Sequence, residues 1–158
     1  MSRFFRRGRT KVYFVPTITN LDAPTATEMA AATELSCELA DVAGFAFKNS
    51  PIAVPDMCST FIKNIPGEDK ADSSSMTFYE DDTSNPIKVL LAKGAEGNIV
   101  FFPIGVTGGS PSVGDDCEVW PVQVASSTRE WKASNDAAKY MVEFTITDVP
   151  DQDAEVVA

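Results

Sequence analysis

The sequence predicts a mainly β fold, a β-sandwich or barrel-like domain with one short flanking α-helix over about Pro86 to Lys93. Three observations predict it. Most apolar runs are short and alternate with polar residues at the strand period of two. Turn-forming residues interrupt them at close intervals, with 10 prolines and 9 glycines in 158 residues. Only one segment combines helical spacing with a start and a stop signal.

Lys11 to Val15 opens the fold as a strand, and Pro16 to Pro24 reads as a turn-rich connection. Thr25 to Ala32 has the alanine content of a helical turn and a cap in Thr25. Leu35, Cys37 and Leu39 then alternate with Ser36, Glu38 and Ala40, which predicts a strand from about Glu34 to Leu39. Gly44 to Lys48 continues as a strand, and the prolines Pro51 and Pro55 mark a long loop over about 48–61. Thr60 to Ile65 reads as another strand, ended by the Pro66-Gly67 turn and the polar segment Glu68 to Asp72. Ser74 to Glu80 sets Met76 and Phe78 on one side and Ser75, Thr77 and Tyr79 on the other. The helix follows, with Asn85 as N-cap, Pro86 at its first position and Gly94 as its stop. Ile87, Leu90 and Leu91 recur at i, i+3 and i+4 and give it one apolar face to lay on the sheet. Asn98 to Ile104 and Cys117 to Ser126 are strands joined by a glycine-rich hairpin loop. Pro121 inside the second predicts an edge position or a bulge, because proline lacks the ladder donor. Ala138 to Thr147 is the last strand and pairs with the one before it. There is no internal repeat.

Charge divides the chain into three parts. Arg3, Arg6, Arg7, Arg9 and Lys11 take five of the 13 basic residues, which leaves eight against 23 acids, a net of minus 15 over the remainder. Residues 1–10 read as a basic arm, 11–148 as one domain, and 149–158 as an acidic tail without structure of its own. A body this acidic repels a phosphate backbone, which argues against a conventional DNA-binding domain. No apolar run approaches the roughly 18 to 20 residues of a membrane span or makes a signal segment, so a cytoplasmic site of synthesis and no membrane partner are expected.

The chain has no histidine, which removes His-containing triads, HExxH metal sites and His-ligated haem. Cys37, Cys58 and Cys117 are odd in number and far apart; they read as reduced, small apolar residues rather than zinc ligands or a disulfide framework. Glu80-Asp81-Asp82 could hold a divalent cation but reads better as a strand end beside a helix entry. Asp115-Asp116 reads as a solvated loop, and the loop from Gly105 to Gly114 lacks the ending of a phosphate loop. Trp120 and Trp131 could stack on sugars, although an aromatic on a strand face usually packs in a core or an interface. No catalytic, cofactor or metal site is expected.

The basic arm, the proline-marked loop and the acidic carboxyl tail on a compact sandwich are what a subunit needs for head-to-tail assembly with copies of itself. At this level the sequence resembles the major tail protein, or tail tube protein, of long non-contractile-tailed bacteriophages, especially those infecting actinobacteria. The residues that carry the resemblance are Arg3-Phe4-Phe5-Arg6-Arg7-Gly8 leading into Thr10 to Val15, Ala23-Pro24-Thr25 with Glu28, and Glu34-Leu35. They continue with Leu39-Ala40-Asp41, Gly44-Phe45, Pro55-Asp56, Ile65-Pro66-Gly67 and Ser74 to Asp81. The Pro86 to Gly94 helix, Glu96-Gly97, Val119-Trp120-Pro121-Val122 and Val124-Ala125-Ser126 complete the pattern. The weight lies in their order and spacing over nearly the whole chain.

The resemblance implies a tail tube fold and a structural, non-enzymatic virion subunit. It implies homo-hexameric rings, stacked into a hollow conduit for ejection of double-stranded DNA, with tape measure, tail terminator and distal tail proteins as partners. It also implies that ring stacking uses Arg3, Phe4, Phe5, Arg6, Arg7 and Arg9 of the arm and Pro51, Pro55 and Asp56 of the long loop. Much of the acidity is then expected on the inner wall, where it keeps DNA sliding. The alternative from another class is a monomeric β-sandwich adhesin or carbohydrate-binding module using Trp120, Trp131 or Tyr79. A small carboxylate-dependent hydrolase is the weakest reading, because nothing in the residue order pairs two acids.

Overall fold

In the computed structural model, which describes residues 1–158, the elements run β1 (Lys11–Val15), α1 (Ala26–Ala30), β2 (Thr33–Glu34), β3 (Leu39–Ala43), β4 (Phe47–Asn49), β5 (Ile52–Val54), β6 (Lys63–Ile65) and β7 (Asp69–Ala71). They continue with β8 (Ser74–Tyr79), α2 (Pro86–Leu90), β9 (Glu96–Phe102), a 3-10 turn at Thr107–Gly109, β10 (Asp116–Arg129), β11 (Lys139–Ile146) and β12 (Asp151–Glu155). The main sheet is antiparallel in the order β2-β1-β9-β10-β11-β8-β3, with β12 added beside β10. Its two edges, β2 and β3, are consecutive in sequence and separated by one turn, so the sheet curls on itself into an open barrel.

That turn replaces the continuous strand expected over Glu34 to Leu39. The Ser36 hydroxyl accepts from Val12 N at 2.8 Å and donates to Val12 O at 3.3 Å, which pins the turn to β1. Leu35 drops into the core with no exposure. The expected strand from Gly44 to Lys48 is also broken, because Gly44 and Phe45 adopt φ values of 85° and 56°. A Cβ on Gly44 would lie 2.7 Å from Ser74 Oγ, so both the conformation and the space require glycine there.

Two cores follow from strand alternation. Val12 and Phe14 of β1 and Ile99 of β9 join Met76, Phe78, Trp120, Val122, Val124, Tyr140, Val142 and Phe144 inside the curl, where Ile87 of α2 and Leu91 just after it close the core and Leu90 packs at its edge. Tyr13, Val15, Val100 and Phe102 point the other way and form a second core with Met29 of α1, Cys117, Val119, Ala154 and Val156. β1 and β9 are therefore buried on both faces, which is why their sequences are nearly continuous apolar runs.

α1 is the helical turn expected over Thr25 to Ala32, a second helix besides the one that flanks the sheet. It stands on a capping box: Thr25 Oγ1 accepts from Glu28 N at 3.2 Å and Glu28 Oε1 accepts from Thr25 N at 3.0 Å. α2 starts at Pro86 as expected but ends at Leu90, short of Lys93. Asn85 makes no cap bond, because its amide is bonded to the backbone of Asp81.

The carboxyl-terminal segment is ordered, contrary to the expectation of an unstructured acidic tail. β12 pairs with β10, and Val156 is fully buried. Pro121 is also not at an edge. β10 is the hub of the sheet, paired with β9 on one side and on the other with β12 up to Val119 and with β11 from Val122 onward. The Pro121 carbonyl accepts from Thr147 N on that second side. Its missing N–H faces the same side, in the gap where one partner strand gives way to the next, so no ladder bond is lost.

Candidate assembly surfaces

The segment expected as a long loop over 48–61 is part of a β-ribbon that projects from the barrel. β4 pairs with β7 and β5 with β6, and neither pair joins the main sheet. The ribbon is built by local polar bonds. Asn49 accepts from Gly67 N at 3.1 Å and donates to Gly67 O at 3.0 Å and to Asp69 Oδ1 at 2.6 Å. A Cβ at Gly67 would meet Ser50 O at 2.1 Å, so only glycine lets the two strands approach here. At the tip, Asp56 accepts from Cys58 N at 2.9 Å and pairs with Lys63 at 3.4 Å.

Beyond its root, where Phe47 lies against Trp120 with ring centroids 5.7 Å apart and Ala71 packs on the core, the apolar residues of this ribbon are exposed. Ile52 and Ile65, directly opposite in register, are 52% and 51% exposed, and Phe61 is 73% exposed. Pro51, Pro55 and Asp56 are exposed beside them. Exposed apolar side chains are thus gathered on one projecting element.

In the basic arm, Arg9 N and Thr10 N donate to Arg6 O at 3.0 and 2.9 Å and fold residues 6–10 into a turn. The guanidinium groups of Arg6 and Arg9 lie 5.7 and 4.9 Å from the centroid of the Phe4 ring, while Phe5 is 73% exposed. Arg3 and Arg7 are exposed in the same segment. Ribbon and arm leave the barrel at the same end: Phe45, at the ribbon root, packs on Phe101 and Trp120, and Arg6, Arg7, Phe45, Phe101 and Trp120 line one open groove of about 760 Å³.

A third surface is the outer face of β3, β8, β11 and the second half of β10. Register places Asp41, Ser75, Thr77, Met141, Glu143, Thr145, Gln123, Ser126 and Thr128 together on it, exposed or half-buried, with Tyr79 and Lys139 at one end. It is rich in hydroxyls and carries only two acids, Asp41 and Glu143.

The residues with chemical potential are structural. Asp115 is buried rather than solvated: its carboxylate accepts from Thr107 Oγ1 at 2.8 Å and from the backbone N–H of Ser112 and Thr107. Burial pushes its pKa up, but these hydrogen bonds outweigh it and hold the carboxyl below the usual aspartate range. Asp81 closes the loop before α2 by accepting from Thr83 N and Ser84 N. Glu80 pairs with Arg129. No three Cys, Asp or Glu side chains converge where a metal ion could sit. Cys117 is buried, and burial followed by the nearby acids Asp151 and Asp116 pushes its thiol up to about 12. All three cysteines are free, but Cys37 and Cys58 are exposed rather than packed as small apolar residues. Trp120 is 1% exposed and packed in the core, which removes it from any sugar-stacking platform; Trp131, 86% exposed, and Tyr79 remain outside.

No curated protein matches the chain. Among solved structures, the fold is similar to a chain in the sheath/tube terminator of an extracellular contractile injection system in its extended state, with a TM-score of 0.63, 12% identity and 94% and 96% of the two chains covered. It is similar to a chain in the tube-terminating cap of the anti-feeding prophage, with a TM-score of 0.61, 12% identity and coverage of 92% and 89%. A third match, in the tail of an empty GTA particle with C6 symmetry, has a TM-score of 0.55, 12% identity and coverage of 97% and 100%. A family model described as phage tail tube protein matches residues 1–158. The chain belongs to the phage tail tube protein family.

Proposed function

We propose that this protein is the structural subunit of a virion tail, that six copies form a ring, and that rings stack into a tube through which double-stranded DNA leaves. The observation that carries this reading is the projecting ribbon. An isolated two-stranded ribbon is marginal in water, and this one displays Ile52, Phe61 and Ile65 to solvent, so a second copy is needed to cover it. The six-fold symmetry of two assemblies with similar chains, the anti-feeding prophage baseplate and the tail of the empty GTA particle, supports the ring size.

The outer face of β3, β8, β11 and β10 is the surface we assign to the channel wall. Its hydroxyls offer a duplex no fixed cationic partners, and Asp41 and Glu143 repel phosphates. On this assignment the acidity expected on the inner wall lies mostly elsewhere, at the strand ends and along β12. Ile87, Leu90 and Leu91 hold α2 against the barrel, away from this face. Assembly takes place in the host cytoplasm, in a long non-contractile tail, with the tape measure, terminator and distal tail proteins as further partners.

Negative-stain electron microscopy over a concentration series, with sedimentation velocity alongside, tests the reading. Rings or hollow tubes are expected, and removal of Met1 to Arg9 should leave rings that no longer stack. A thiol probe adds a local readout: Cys58 on the ribbon should react readily in the free subunit and become protected on assembly. Monomers at every concentration, even after addition of an assembled tail-tip fragment, would overturn it.

A further inference from the structure

The β10–β12 ribbon carries four carboxylates on one face. Asp116 lies directly opposite Glu155 in the antiparallel register; Glu118 follows two residues along β10, and Asp153 precedes Glu155 by two on β12. Between them Cys117 and Ala154 point to the other side and are buried in the second core. Asp116, Asp153 and Glu155 are exposed and Glu118 is half-buried. None of the four takes part in any of the six ion pairs of the chain. No Lys or Arg occurs from 113 to 128 or from 148 to 158. Like charges directly opposite on a sheet are destabilising, so this face is under repulsion that a cationic partner would relieve.

Arg6 and Arg7 line the same groove as Glu118, and with Arg3 and Arg9 of the same arm they too form no ion pairs. Arg6 shares that groove with Glu118 yet forms no ion pair with it; together with Arg9 it is held over Phe4 by the turn at residues 6–10. One chain thus carries two opposite and uncompensated charge sets and does not join them.

We propose that the face formed by Asp116, Glu118, Asp153 and Glu155 receives the arginine arm of a second copy. Guanidinium and carboxylate form strong paired hydrogen bonds, and a heterologous contact leaves each copy with one free arm and one free face, so the contact propagates. The inference rests on the tube reading for the meeting of copies and adds to it the surface that the arm grips.

Full-length variants test it. One carries Arg3→Glu, Arg6→Glu, Arg7→Glu and Arg9→Glu; the other carries Asp116→Lys, Asp153→Lys and Glu155→Lys, all at exposed positions. Each alone should lose assembly, and an equimolar mixture should recover it, because each arm then meets a complementary face only on the other variant. Tubes from either variant alone, or a mixture no better than its parts, would overturn the proposal. Binding separates this from the tube reading. A synthetic peptide of residues 1–10 is titrated onto the arm-reversed chain, then onto a chain with both arm and face reversed, with circular dichroism confirming the fold of each. Binding about tenfold weaker on the reversed face, and weaker in salt, is expected even if the unaltered chain forms no tubes. Binding indifferent to the face would overturn the proposal even if tubes form.

Discussion

The barrel and the ribbon from β4 to β7 use similar residues for opposite ends. In the barrel, β1 and β9 bury apolar side chains on both faces, and Val15, Ile99, Val100 and Phe102 have no exposure. In the ribbon, Ile52, Val54 and Ile65 alternate just as regularly along paired strands, and all are more than 40% exposed. Periodicity therefore marks a strand in both places but does not say what covers it. The barrel strands are covered by the chain itself, whereas beyond its root at Phe47 and Ala71 the ribbon is held by its own hydrogen bonds and two exposed ion pairs. Barrel residues should govern stability and ribbon residues assembly.

The largest test of that division is Phe78→Ala. Phe78 is fully buried and stacked on Tyr140 with centroids 5.6 Å apart, so its loss should cost about 3–5 kcal/mol in denaturant unfolding. A cost near zero would mean that the barrel is not the stabilising unit. Next is Asp115→Ala, which orphans the Thr107 and Ser112 donors and should cost about 1–3 kcal/mol. The sign of its pH dependence follows from its lowered pKa. The stabilisation from Asp115 is complete above the ordinary aspartate range and is lost as pH falls through the lower folded value, so Asp115→Asn should flatten the acid limb of a stability–pH profile.

Thr25→Ala should cost about 1 kcal/mol, because it removes the hydroxyl half of the capping box that fixes α1 over the second core. Thermal melts resolve a change of that size. The smallest effect on stability is expected on the ribbon: Ile65→Ser should change unfolding free energy by less than about 0.5 kcal/mol while abolishing tube formation. A variant that unfolds, or one that still polymerises, would dissolve the division of labour between the two regions.

Local chemistry explains what was legible in advance. Lys11 to Val15 was readable as a nearly continuous apolar run, and Ser74 to Tyr79 and Lys139 to Ile146 because their side chains alternate against a core. Thr25 was readable as a cap and Pro86 as a helix start, since each acts on its nearest neighbours. Pro121 misled because proline tolerance depends on which partner strand faces it, and the change from β12 to β11 lies far away in sequence. The tail after Asp148 looked unstructured because its acids mask an ordinary strand whose few apolar residues, Ala154 and Val156, find a core already built by β1, β9 and α1. Asp115 looked solvated because nothing nearby reveals that the loop folds back over it.

The arm and the ribbon were visible as departures from the rest of the chain, one in charge and one in proline content. Their exposure was not visible. The sequence by itself determined the strand-forming runs, the caps, the basic arm and the acidic excess, because each depends on residues within a few positions of one another. The curl that brings β2 and β3 to adjoining edges, the split pairing of β10, the exclusion of the ribbon from the main sheet and the gathering of Asp116, Glu118, Asp153 and Glu155 on one face were decided only by tertiary structure. They depend on register between distant segments, and a strand carries no local mark of which partner will pair with it.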